Sequence, residues 1–286
     1  MCASLHTTVL TALTLIALSA LATAAEVRVL TVGSTQVAAK AIAADFEKLT
    51  RNQVTFTIRP PFDIDKELAE KTFDAIILSV PAMDIHDKAG SLAPTSRVAL
   101  ARVGVGMVVK EGAPVPDVST PEKLKAALLA ARSLTYGDPA IPNTSGAIAR
   151  DALAKLGILD EVQGKTHHAA LTSGGELVAK GEVEMGFFNL SEIPKGVTVA
   201  GPLPGPLQGY TSYEAAVLSK GSRDKACAAF VKYLASASAA AHWEAAKTRA
   251  CHDLHAHPRE PVKSCARAHY AGKSRWPPFI NHGGSF

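Results

Sequence analysis

Two short turns carry residue types that suit anion binding. Gly33-Ser34-Thr35 and Asn143-Thr144-Ser145-Gly146 each combine small side chains with hydroxyls, and each precedes a pattern of helical spacing. The first N–H groups of a helix lack intrahelical acceptors and lie at the positive end of its dipole, so such a turn offers donors to an oxyanion. Small side chains let the backbone come close. Ser, Thr and Asn are also ordinary helix N-caps, so one turn alone says little. Two of them, in different halves of the chain, point to a shared ligand. Arg59 is a third candidate, because a guanidinium suits bidentate binding of a carboxylate or phosphonate. The competing reading of Arg59 is a surface ion pair with Asp63 or Asp65.

Other chemistry-bearing residues fit less well. Cys251, His252, His255, His257, Cys265 and His269 are all metal-ligand types, but their spacing matches no standard zinc site, and Pro258, Pro261, Pro277 and Pro278 oppose regular structure. The expectation is a disordered tail at 251–286 with no metal or cofactor. His167-His168 reads as part of a polar linker, and His86, flanked by Asp84 and Asp87, as the cap of a short helix. Cys227, Cys251 and Cys265 leave room for one disulfide in an oxidising compartment, with the pairing open.

The elements that must position these turns alternate between strand and helix. Glu26–Val32 (EVRVLTV) reads as a strand, and a helix follows from Gly33 to about Thr50, with Ala38, Ile42, Phe46 and Leu49 at helical spacing. Val54–Ile58, a short charged helix at Asp65–Lys71 and the apolar run Phe73–Val80 continue the scheme. Such alternation predicts parallel strands with right-handed crossovers. Leu100–Lys110 is long and holds two glycines, as a strand leaving one sheet for another would. Thr120-Pro121 starts a helix to about Arg132, Leu134–Tyr136 is a short strand, and the helix after Asn143 runs to Leu156 and closes at Gly157. A further helix starts at Thr172-Ser173-Gly174-Gly175 and reaches Lys180. Val183–Phe188 and Ser212–Leu218 are strands, and a long Ala-rich helix is expected over Arg223–Lys247. The scheme occurs twice. It predicts a two-lobed α/β protein with two crossover segments, residues 26–105 and 210–250 in one lobe and 106–209 in the other. Ligands of such sheets bind beyond the C-terminal strand ends.

Charge and targeting narrow the function classes. The chain has 286 residues, 30 Lys and Arg against 26 Asp and Glu, and a net charge of +4. The last 36 residues hold five of those basic residues and two of the acidic ones, so the body is almost neutral. Neither a nucleic-acid partner nor a polyanion follows from such a balance. Residues 1–25 carry no Lys, Arg, Asp or Glu; the 13-residue apolar run Val9–Leu21 leads into Ala22-Thr23-Ala24-Ala25. That run is short for a membrane span and fits a secretory signal cleaved after Ala24 or Ala25, which predicts a periplasmic location.

Over residues 26–248 the chain resembles periplasmic molybdate-binding proteins, type 2 solute-binding proteins of ABC transporters. The segments that carry the resemblance are EVRVLTVGSTQVAAKAIAADFEKLTRNQVTFTI, TFDAIILSVPAMDIHDKAG, the stretch from RVGVGMVVK to DALAKLGI, and VEMGFFNLSEI. The resemblance implies a monomeric two-lobed protein that closes on a small oxyanion and delivers it to a membrane permease. It implies that Ser34, within Gly33-Ser34-Thr35, contacts the ligand, as do backbone N–H groups at Asn143-Thr144-Ser145-Gly146. Two departures alter the expected ligand shell. The family's Gly-Ser-Gly-type loop after the second strand is Arg59-Pro60-Pro61-Phe62-Asp63, and the family's tyrosine after the VEMGF-like strand is Asn189. Proline has no N–H to give. Three classes stay open: an oxyanion binder, molybdate- or tungstate-like; a binder of small carboxylates or phosphonates through Arg59; and a periplasmic enzyme acting on a small anion. No nucleophile elbow or Cys-His pair in the body supports the last. A sensor whose His tail binds zinc or copper is a further possibility.

Overall fold

The computed structural model describes residues 24–138, 143–169, 173–220 and 225–251. The expected export signal (all but its last two residues), Pro142, Thr172 and the tail beyond Cys251 lie outside the described residues. The elements run β1 (Glu26–Thr31), α1 (Gly33–Thr50), β2 (Gln53–Ile58), α2 (Ile64–Glu70), β3 (Ala75–Ser79), α3 (Val80–Lys88) and β4 (Val98–Lys110). They continue with α4 (Pro121–Ala130), β5 (Leu134–Gly137), α5 (Thr144–Lys155), α6 (Leu159–Gln163), β6 (Thr166–Ala169), α7 (Ser173–Lys180) and β7 (Met185–Asn189). The last are β8 (Val197–Pro202), β9 (Tyr210–Val217), α8 (Lys225–Leu234), α9 (Ala237–Ala245) and β10 (Arg249–Ala250).

The sheet has the order β2-β1-β3-β9-β4-β7-β5-β6, with β8 and β10 also on β4. At its two ends the strands pair in parallel, β1 with β2 and β3, and β5 with β6 and β7. In the middle, β9 and β4 run antiparallel to their neighbours. β4 is the strand that changes partner. Up to Gly104, which lies opposite Tyr210, it pairs with β9; from Val105, which lies opposite Asn189, it pairs with β7. The fold is a two-lobed α/β architecture in which β4 carries the chain from one half to the other.

Each half has apolar layers on both sheet faces. In the first, Val27, Val29, Ile42, Phe46, Phe230 and Trp243 pack on one face, and Leu30, Ile76, Leu78 and Met83 on the other. In the second, Met107, Leu124, Leu153 and Phe187 oppose Val108, Val178 and Phe188. Met107 and Val108 belong to opposite layers because successive strand side chains alternate. Doubly covered strands need continuous apolar runs, which is why AIILS and VGVGMVV have them. In the first half, Asp74 is fully buried and accepts from Arg28 N at 2.8 Å, Nε at 3.1 Å and Nη2 at 3.1 Å.

Several expectations need correction. The single Ala-rich helix is two, because Ser236 caps α9 with its hydroxyl on Ala239 N at 3.3 Å, and Trp243 Nε1 folds back onto Leu234 O at 2.9 Å. His167-His168 is not linker but part of β6, whose pairing with β5 supplies backbone bonds the local sequence does not advertise. Val80 opens α3 rather than closing β3, since Pro81 in the first turn presets helical φ. His86 caps nothing: it lies buried in the last turn of α3, with Nε2 3.6 Å from Asp65 Oδ1. Cys227 lies in the core with its Sγ donating to Asp74 O at 3.4 Å, and Cys251 is disulfide-bonded.

Candidate functional site

β1 runs directly into α1, with Val32 in extended conformation at the N-cap and offering no side-chain cap. The donors of the first turn are therefore open to other acceptors. Ser34 is buried at the mouth of that turn. Its hydroxyl donates to the Glu192 carboxylate, which comes from the short 3-10 turn Leu190–Glu192 after β7. Asn189, the last residue of β7, gives Nδ2 to Ser34 Oγ at 3.1 Å and to Glu192 Oε2 at 2.8 Å. Asn189 is 6% exposed, and its Oδ1 has no hydrogen-bond partner among the described residues. Glu192 Oε1 lies against Gly33 so closely that a Cβ there would overlap it. Ser34, Asn189 and Gly33 thus meet across the two halves of the sheet, around a carboxylate.

The second turn begins α5. Asn143 caps α5, accepting from Gly146 N at 2.5 Å and donating Nδ2 to Asp138 O at 2.8 Å. Gly146 is required there, because a Cβ would overlap both Asn143 Oδ1 and the Gly137 carbonyl. Tyr213 of β9 is buried, with Ser34 and Thr144 among the groups that act on its hydroxyl. It thus lies near the starts of both α1 and α5. Burial, and next the charge of Glu192, push its pKa well above the phenol range, so it stays protonated. Ser145 is buried beside a small cavity that Thr135, Gly137 and Gly174 also line, where Thr135 Oγ1 has no partner among the described residues. Gly174 belongs to the first turn of α7, so a further helix start adjoins that cavity.

Two sequence candidates are engaged elsewhere. The Thr35 hydroxyl turns into the core, 2.6 Å from Thr31 Oγ1 and 3.2 Å from Val32 O, closing the β1–α1 turn. Arg59 pairs with neither Asp63 nor Asp65: its Nε donates to Glu67 of α2 at 2.5 Å and Nη1 to Ile58 O at 3.0 Å. The Arg59 hydrogen bond, then that of Lys71, holds the Glu67 carboxyl below the usual range. Glu192 and Tyr213 were not singled out by sequence reading. A lone tyrosine among the small residues of SYEAAVL was the one available signal, since a buried tyrosine needs a partner for its hydroxyl.

A family model described as bacterial extracellular solute-binding protein matches residues 27–246. The chain belongs to the bacterial extracellular solute-binding proteins. Among its relatives, an aconitate isomerase from Pseudomonas sp is 31% identical over 208 residues, covering 70% of this chain and 78% of that one. The molybdate-binding protein ModA of Azotobacter vinelandii is 28% identical over 226 residues, covering 76% and 87%. Among solved structures, the Azotobacter vinelandii periplasmic molybdate-binding protein superposes with a TM-score of 0.64 at 17% identity, covering 78% of this solute-binding protein and 98% of that chain. The shared fold is the type 2 periplasmic binding architecture. Among the described residues of this solute-binding protein, no helix is long and apolar enough to cross a membrane, and no group of three His, Cys, Asp or Glu could hold a metal.

Proposed function

We propose that the protein is exported by residues 1–25, captures a small organic carboxylate between its lobes (26–105 with 210–250, and 106–209) and presents it to an ABC permease. The observation that carries this reading is the carboxylate already seated on Ser34 and Asn189. Two neutral donors converge on one planar acid group at the start of α1, where the helix dipole favours negative charge. A tetrahedral oxyanion such as molybdate needs donors for four oxygens. The loop Arg59–Asp63 is poor in them, with two prolines and a guanidinium engaged by Glu67. The relative at 31% identity, named for a tricarboxylate, supports the same ligand class.

A thermal-shift and calorimetry panel of citrate, cis- and trans-aconitate, succinate, molybdate, tungstate and sulfate tests this. A ligand at about 100 times its Kd stabilises by roughly 2.7 kcal/mol, visible as a melting shift. A response to molybdate alone would return the oxyanion reading to first place.

The same relative favours a second reading, an isomerase that shifts a proton along a bound unsaturated polycarboxylate. A carboxylate at the seat beside a protonated Tyr213 has the groups such chemistry uses. Proton NMR of cis-aconitate in D2O separates the two. Interconversion or loss of the C–H signals supports the isomerase, and an unchanged spectrum with measurable binding leaves the binding protein.

A further inference from the structure

Glu192 is the group that ligand capture leaves unexplained. It projects from the second lobe, yet its carboxylate rests on the first, accepting from Ser34 and lying against Gly33. None of the ion pairs among the described residues involves it. A half-buried carboxylate without a countercharge is unfavourable unless hydrogen bonds to its charged form offset the desolvation. Asn189 and Ser34 supply those bonds, and both are themselves buried. The Asn189 Oδ1, buried and unpartnered beside the same seat, leaves room for a donor that Glu192 does not provide.

We propose that Glu192 is an internal ligand that determines which carboxylates the cleft accepts. This inference rests on the carboxylate-binding reading. The side chain fills the seat when the cleft is empty and holds the two lobes together through Ser34. An incoming acid must displace it. A tethered carboxylate competes at an effective concentration on the order of millimolar or above. Apparent affinity therefore falls by the fraction of molecules whose seat is free. A simple monocarboxylate makes no contact that Glu192 does not already make, so it is rejected. A di- or tricarboxylate gains further donors, at Thr144, Ser145 and the start of α5, and wins the exchange. A ligand hydroxyl in position to donate to Asn189 Oδ1 adds to that margin.

Calorimetry with acetate and succinate as probes tests the proposal on the mature protein and on Glu192→Ala and Glu192→Gln, with circular dichroism checking that each is folded. In Glu192→Ala both probes should bind roughly tenfold tighter or more, and acetate should become measurable. Glu192→Gln, which still fills the seat without charge, should fall between wild type and Glu192→Ala. Small-angle scattering should show the unliganded Glu192→Ala expanded and succinate restoring the compact form. Equal or weaker succinate binding by a folded Glu192→Ala overturns the internal-ligand proposal and leaves carboxylate binding standing. Absence of binding by wild type and both variants overturns both.

Discussion

Asn189 Nδ2 lies 3.1 Å from Ser34 Oγ, linking residues 155 positions apart and from opposite halves of the sheet. The link exists because β4 changes partner at Val105, and the residue opposite Val105 on β7 is Asn189. The crossover therefore delivers a side-chain amide to the start of α1.

Ser34 should be tested where no internal carboxylate competes. In a Glu192→Ala background, adding Ser34→Ala removes one donor to a charged ligand, worth about 1.5–3 kcal/mol. Succinate affinity should fall roughly ten- to hundredfold, with the melting temperature nearly unchanged. Calorimetry showing equal affinity would make Ser34 part of the turn and nothing more.

Arg59 should be dispensable for binding. Because Glu67 holds its guanidinium, Arg59→Ala is expected to leave carboxylate affinity within about twofold, a change smaller than one surface ion pair. NMR titration of Glu67 should show its pKa rising as the principal hydrogen bond is lost. A large loss of affinity would restore Arg59 to the ligand shell.

The cap of α5 is a stability element. Asn143→Ala should cost about 1 kcal/mol through loss of the bond to Gly146 N. Gly146→Ala should cost more, roughly 2–4 kcal/mol, because its Cβ would overlap the rigid Gly137 carbonyl as well as the cap. Urea denaturation of the two variants reads the order, and a milder effect of Gly146→Ala would contradict it.

His86 gives the stability a pH dependence. Burial depresses its pKa and outweighs the attraction of Asp65, so folding favours the neutral ring. Its contribution is full above the unfolded value of about 6.5 and is lost as pH falls through the depressed folded value. Wild type should lose stability on acidification below about pH 6.5 more steeply than His86→Gln. Parallel pH profiles from urea melts would exclude the assignment.

The strand–helix alternation, the two lobes and the two small-residue helix starts were legible because each rests on local pattern: apolar runs for doubly covered strands, caps and glycines for helix ends. Ser34, Asn143 and Gly146 could be placed at helix starts for the same reason. Tertiary contacts engage Thr35 with Thr31 and Arg59 with Glu67, partners that local sequence did not mark. Glu192 had no local signal and Tyr213 only its isolation among small residues, because their place depends on a strand that changes partner and brings residues 155 and 158 positions apart into hydrogen-bond range. The sequence by itself determined that the body carries almost no net charge and presents helix starts suited to an anion. Only the tertiary structure decided which donors meet, and that a carboxylate of the chain itself already stands among them.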